Sequence, residues 1–131
     1  FFMLGVPGET HASLKATIDL ACRLDIDFAK FTVFSPFPGT PVHEQLLADG
    51  KIPEPENWAR YTSYPTGATP PAFVPDGLRS TDVIAAQRNA FAAFYLRPRM
   101  IARQVFTLRA LDVRDMAGGL HALAASWLGR A

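Results

Sequence analysis

The run Phe1-Phe2-Met3-Leu4-Gly5-Val6-Pro7-Gly8-Glu9-Thr10 limits what this chain can fold into more than any other stretch. Four apolar residues in a row suit a strand covered on both faces, as in a parallel sheet. Gly5 and Gly8 allow backbone angles and close approaches that a side chain would forbid, and Pro7 stiffens the corner between them. Thr10 is placed to cap a helix that begins at His11. In α/β folds the backbone amides beyond the carboxyl end of such a strand are a natural ligand seat. Taken alone, the same turn also reads as an ordinary strand-to-helix connection.

Helical periodicity follows from His11 to Leu24. Leu14, Ile18, Leu20, Ala21, Cys22 and Leu24 share one broad face, and Lys15, Asp19 and Arg23 form an i,i+4 ladder opposite. Cys22, at the edge of the apolar face, reads as a packing residue. Asp25-Ile26-Asp27 then turns the chain into a second strand, Phe28–Ser35, rich in aromatic and β-branched residues. Strand, helix and strand in this order predict a parallel βαβ unit. Alternation puts Lys30, Thr32 and Phe34 on one face and Ala29, Phe31, Val33 and Ser35 on the other. Lys30 is the only charge in the strand. Either its stem packs while the ammonium stays in water, or it lines the interior of a barrel.

The second strand also ends in a stiff corner, Ser35-Pro36-Phe37-Pro38-Gly39-Thr40-Pro41. Thr40 is the candidate cap of a short helix, Val42 to Asp49, with Pro41 in its first turn and Gly50 past its end. Both corners are therefore expected on the same side of the sheet, the side where parallel α/β folds bind ligands.

The rest of the chain changes character. Residues 51–79 hold six of the 11 prolines together with Trp58, Tyr61, Tyr64 and Phe73. They predict an extended covering segment whose aromatics press onto the core. Ser80 is the expected cap of a long helix to Leu96, with Val83, Ile84, Ala90, Phe91, Phe94 and Tyr95 on one face, ended by Pro98. Two more helices are expected, from Pro98 to Leu111 and from Val113 to Leu128. The organisation is thus 1–50, an α/β part; 51–79, the cover; and 80–131, a helical extension. Residues 1–78 carry 5 Lys/Arg against 9 Asp/Glu, and residues 79–131 carry 8 Arg against 3 Asp, so the two parts differ in the surroundings they suit. One cysteine excludes a disulfide framework and a multi-thiolate metal site within these residues. His11, His43 and His121 read as surface or helix residues. No signal peptide or membrane-spanning run is visible, and the default expectation is a cytoplasmic address. The chain opens on Phe-Phe inside what reads as a core strand, which predicts a piece of a longer protein.

FFMLGVPGET, an intervening helix and FAKFTVFSPFPGTPVHEQL together resemble the later strands of the radical S-adenosylmethionine (SAM) enzymes. They look most like the cobalamin-binding branch, whose members read FMLGLPGET … F…F…PYPGT at this spacing. Phe94-Tyr95-Leu96-Arg97-Pro98-Arg99 is similar to a recurrent segment in the tail of that branch. The resemblance implies the last βαβ units of a partial (β/α)6 TIM-like barrel, with Phe1–Gly5 as its fifth strand and Phe28–Ser35 as its sixth. SAM would lie across the carboxyl ends of the strands. The backbone of Gly5, Val6 and Gly8 would form part of its seat, Glu9 would fix the turn, and Ser35 and Phe37 would line the cofactor or substrate side. The family's [4Fe-4S] cluster sits on a CxxxCxxC loop that these residues lack, as they lack a cobalamin-binding histidine motif.

The leading expectation is therefore the C-terminal portion of a radical SAM enzyme, inactive by itself, whose partners are the rest of the parent chain and a small-molecule or lipid-like substrate, with no nucleic acid expected. Its parent would use SAM and an iron–sulfur cluster, with cobalamin in the branch it resembles, for methyl transfer or ring formation. No residue here is expected to be catalytic or to bind metal. Two other classes stay open: a non-catalytic α/β module that holds a nucleotide or phosphate on its glycine-proline turns, and a helical domain whose residues 80–128 bind a partner or a membrane surface.

Overall fold

The structure is a computed structural model and describes residues 1–53 and 58–103. The chain divides into two units, Phe1–Leu96 and Arg97–Ala131. Within the first, the order is β1 (Phe2–Leu4), α1 (His11–Arg23), β2 (Phe31–Val33), α2 (Pro41–Ala48), a single 3₁₀ turn (Trp58–Arg60) and α3 (Ser80–Tyr95). In the second, a helical stretch is described from residue 98 to residue 103. The helices expected over 98–111 and 113–128 otherwise lie outside the described residues.

β1 and β2 pair in parallel, with Phe2 opposite Phe31, Met3 opposite Thr32 and Leu4 opposite Val33. The βαβ reading holds, but both strands are shorter than expected. Gly5 takes φ +81° directly after Leu4, which ends β1 and leaves β2 a three-residue partner. Phe28, at the start of the expected second strand, is exposed and unpaired by the ladder.

Leu4, Phe31 and Val33 sit on the face covered by α1 and α3 and are buried with Leu14, Ala21, Val83, Ala90 and Phe94. Phe31 stacks on Phe2 at 5.4 Å and meets Phe91 and Phe94 edge-on at 5.4 and 6.1 Å. Burying a large apolar side chain of this kind contributes roughly 1.5–3 kcal/mol. On the opposite face, toward its carboxyl end, Phe34 packs on a cluster of Leu46, Ile52 and Phe73. Met3 is 53% exposed there, and Phe1 is 94% exposed. Where the sequence suggested a strand covered on both faces, the second face is half open at Met3 among the described residues.

The helix starts follow local chemistry. Thr10 and Ser13 form a reciprocal capping box at α1, and the Lys15–Asp19 ion pair closes at 2.5 Å on its outer face. Leu20 and Leu24, expected on the buried face, are exposed. Thr40 caps α2, with Pro41 at its first position. At α3 the cap is not Ser80. Arg79 holds the N-cap position, its amide donates to Asp82 Oδ2 at 2.9 Å, and its guanidinium forks onto the same carboxylate. These bonds from Arg79 hold the Asp82 carboxyl below its usual range.

The segment after α2 is tied down by polar bonds as much as by its rings. Phe73 and Ile52 are buried, but Trp58 and Tyr64 are exposed, against the expectation that they press on the core. Ser63 lies beside β2, its carbonyl accepting from Val33 N at 3.0 Å and from the buried Gln87 side chain at 2.9 Å. The same Gln87 amide donates to the Phe31 carbonyl at 2.9 Å. At the other end of β2, the Tyr95 hydroxyl bridges both backbone groups of Ala29.

Candidate functional site

Parallel pairing in register brings both corners to the same edge. Leu4 and Val33 are opposite one another, and Phe34 N donates to the Leu4 carbonyl at 2.7 Å. Gly5 and Phe34 therefore leave the sheet side by side. The six residues expected at the site, Gly5, Val6, Gly8, Glu9, Ser35 and Phe37, all belong to these two corners.

In the first corner Gly5 and Gly8 both adopt φ +81°, a conformation that favours glycine. Gly5 is also sterically committed, because an added Cβ would stand 3.1 Å from Val83 Cγ1 of α3. Glu9 folds back over the turn. Its carboxylate oxygen Oε2 accepts hydrogen bonds from Gly5 N and from Val6 N, the latter at 3.2 Å, while Glu9 N donates to the Val6 carbonyl at 3.0 Å. The side chain is 7% exposed. Glu9 thus fixes the turn, but it also changes what the turn can offer. The two amides that would have faced a ligand already hold an internal anion, and a phosphate brought to them would meet a carboxylate. That chemistry argues against a phosphate cradle at this corner.

The second corner is stiff and open. Gly39 takes φ +83° with no atom near its missing side chain. Thr40 ties the loop together, its amide and its hydroxyl both reaching the Phe37 carbonyl, the hydroxyl at 2.7 Å. Pro36 is fully buried, whereas Phe37 is 50% exposed. Ser35 Oγ is enclosed and finds no hydrogen-bond partner among the described residues. An enclosed hydroxyl without a partner is costly, by about 1–3 kcal/mol, and this one lies just past the carboxyl end of β2.

A residue that sequence reasoning passed over stands next to this corner. His43, expected as a surface or helix residue, does lie in a helix, α2, but is only 5% exposed. Its Nε2 lies 3.4 Å from the Tyr61 hydroxyl, and the Tyr61 ring contacts Phe37 and Trp58 as well. The burial comes from the irregular segment, which has no periodicity to betray it. Lys30 is exposed among the described residues, its ammonium 5.6 Å from the centres of both the Phe1 and the Tyr64 rings.

No group of metal-ligating side chains comes together among the described residues, and the single cysteine, Cys22, lies on α1 away from the corners. These residues do not fit an iron–sulfur cluster, which is held by several thiolates. No helix among the described residues is long and apolar enough to cross a membrane.

No family model matches the chain, and no solved structure does. Curated relatives do. The chain is 32% identical over 119 residues to an uncharacterized methyltransferase of Pyrococcus horikoshii, a match that takes in 91% of this chain and 25% of that protein. It is 30% identical over 64 residues to the bacteriochlorophyllide d C-12(1)-methyltransferase of Chlorobaculum tepidum, covering 49% of this chain and 13% of the relative. Over 40 residues it is 48% identical to a tRNA-2-methylthio-N(6)-dimethylallyladenosine synthase of Magnetococcus marinus, covering 30% of this chain and 9% of that enzyme. The chain spans a quarter or less of the length of these relatives. Along nearly its whole extent it is therefore similar to part of a methyltransferase, and along shorter stretches to enzymes named for transferring methyl or methylthio groups.

Proposed function

We propose that this chain is the C-terminal portion of the catalytic domain of a radical SAM enzyme that transfers a methyl group, and that its two corners form one end of the SAM seat. The observation that carries the reading is the alignment of two motif-bearing corners at one edge of a parallel strand pair. The likeness to a methyltransferase over 91% of the chain supports methyl transfer over ring formation. In this reading β1 and β2 are the last strands of a partial (β/α)6 barrel, whose earlier strands and cluster cysteines belong to the rest of the parent protein. Cobalamin remains part of the proposal through the branch resemblance, and no residue of this chain is assigned to it.

When bound, SAM would supply the group that is transferred, its activation resting on parts of the parent protein outside this chain. The residues here position it. Glu9 occupies the Gly5 and Val6 amides and holds the first corner in one shape, so that the corner offers a fixed backbone surface rather than free amide donors. Ser35 supplies an enclosed hydroxyl that finds no hydrogen-bond partner among the described residues and fits a polar ligand atom. The hydroxyl is covered, so a ligand reaches it only when the surrounding chain shifts. Phe37 offers an exposed ring beside it.

The test uses the full-length polypeptide that contains this chain, with its cluster reconstituted under anaerobic conditions. It is expected to retain SAM in equilibrium dialysis and to release 5′-deoxyadenosine when reduced. Glu9→Ala is expected to weaken SAM retention by tenfold or more. Wild-type protein that neither retains SAM nor cleaves it would overturn the proposal.

A further inference from the structure

The strand pair has a second end. At the amino ends of β1 and β2, where Phe2 N donates to the Lys30 carbonyl at 2.8 Å, the chain forms an open cavity of about 320 Å³. That volume lies at the lower end of the range for small-molecule sites, roughly 300–1,000 Å³. Five aromatic side chains and Ala29 line it, and Lys30 is its only charged side chain. Phe91 and Tyr95 of α3 stack along one wall, 6.2 Å apart and within 14° of parallel. The rings of Phe1 and Phe28 stand open to water at 94% and 77% exposure.

The polar groups of the cavity are few. The Tyr95 hydroxyl is already spent, donating to the Ala29 carbonyl at 2.8 Å and accepting from the Ala29 amide at 3.2 Å. What remains for a ligand is ring surface, the Tyr64 hydroxyl and one ammonium. The chain has three lysines. Lys15 pairs with Asp19 and Lys51 with Asp76, but no carboxylate among the described residues pairs with Lys30. Its Nζ lies instead near the faces of Phe1 and Tyr64. Ring faces hold an ammonium in place without neutralising it, so the positive charge is positioned and still unbalanced.

We infer that this cavity binds a small apolar monocarboxylate, its carbon chain on the rings of Phe28, Phe91 and Tyr95 and its carboxylate on Lys30 Nζ. The charge selects the head group. A cation would be repelled, a neutral molecule would gain only its burial, and a multiply charged anion would leave further charges without partners in an aromatic wall. A monoanion with an apolar body satisfies the ammonium and covers the two open rings at once. The site stands at the opposite end of the strands from the two glycine-proline corners, so it does not rest on the reading of those corners as a SAM seat.

The experiment is isothermal titration calorimetry of the full-length polypeptide with octanoate, octan-1-ol and octylamine, which share one chain and differ in head group. Octanoate is expected to bind with a Kd of about 100 μM or tighter, octan-1-ol about tenfold more weakly, and octylamine not measurably. Lys30→Met keeps an apolar stem and removes the charge. It is expected to bring octanoate down about tenfold, to the level of the alcohol, and to leave the alcohol unchanged, while Lys30→Arg keeps most of the octanoate affinity. Phe28→Ser, at a ring already largely in water, should weaken acid and alcohol alike by about threefold. The site is overturned if octanoate does not bind the wild type, or if the alcohol or the amine binds as tightly as the acid. It is equally overturned if Lys30→Met takes octanoate as the wild type does, or if Phe28→Ser leaves both acid and alcohol unaffected.

Discussion

At the end of β1 the chain turns on Gly5, Val6 and Gly8 with the Glu9 carboxylate drawn over its amides and Val83 against its glycine. At the end of β2 it turns on Pro36, Phe37, Pro38 and Gly39, with Thr40 holding the loop and a half-exposed ring at its tip. Both corners look alike as strings of glycine and proline. One is closed from inside by a charge and built into the helix layer; the other is closed by ring constraint and left open to solvent. The difference teaches that a stiff corner is not yet a binding corner. What decides is whether its polar groups are already satisfied by the chain itself.

Glycine substitutions test that contrast most sharply. Gly5→Ala combines left-handed backbone with a close approach to Val83 and is expected to destabilise the fold by about 3 kcal/mol, read as a lower denaturant midpoint at unchanged slope. Glu9→Ala strips two enclosed amides of their acceptor and should cost about 2 kcal/mol, with Glu9→Gln recovering part because its carbonyl still accepts. Gly39→Ala meets no neighbour and carries the backbone term alone, about 1 kcal/mol. Equal losses at Gly5 and Gly39 would erase the distinction between the corners. Phe37→Ser is expected to change stability by less than about 0.5 kcal/mol, since the ring is half in solvent.

A gentler test works through the helix that backs the first corner. Asp82 fastens the start of α3 next to Val83, and its bonds to Arg79 lower its carboxyl affinity for protons. A lowered value in the folded state means that the contribution is complete above the ordinary carboxylate range and is lost as pH falls below it, through the folded-state value. Wild type should therefore lose stability on that acid limb, and Asp82→Asn should flatten it. His11 lies 3.9 Å from the same carboxylate on an exposed edge, and His11→Ala is expected to change the limb little.

Much of this could be read from the sequence because it is local. Thr10 and Ser13, Thr40 and Pro41, and the glycines of both corners act within four residues of themselves, and their positions announce it. The parallel pairing and the alternating burial of Ala29, Phe31 and Val33 followed from periodicity. The misreadings have physical causes. Ser80 has the composition of a cap, but the chain places Arg79 there and lets a carboxylate three residues on do the work, leaving Ser80 Oγ enclosed. Gln87 and His43 could not be singled out, because their partners stand 24 to 56 and 18 residues away. The closure of the Gly5 and Val6 amides by Glu9 was foreseen as a fixed turn but not as the loss of two donors.

The Ser63 carbonyl, reached at once by a strand amide and by a helix side chain, has a consequence for how the irregular segment can move. Peeling it away would strand both donors in the interior at the same moment, so no half-lifted position is comfortable. The segment is expected to come off this strand in one step or to stay, as a latch does, and any access route to the enclosed Ser35 hydroxyl that passes beneath it would inherit that two-position character.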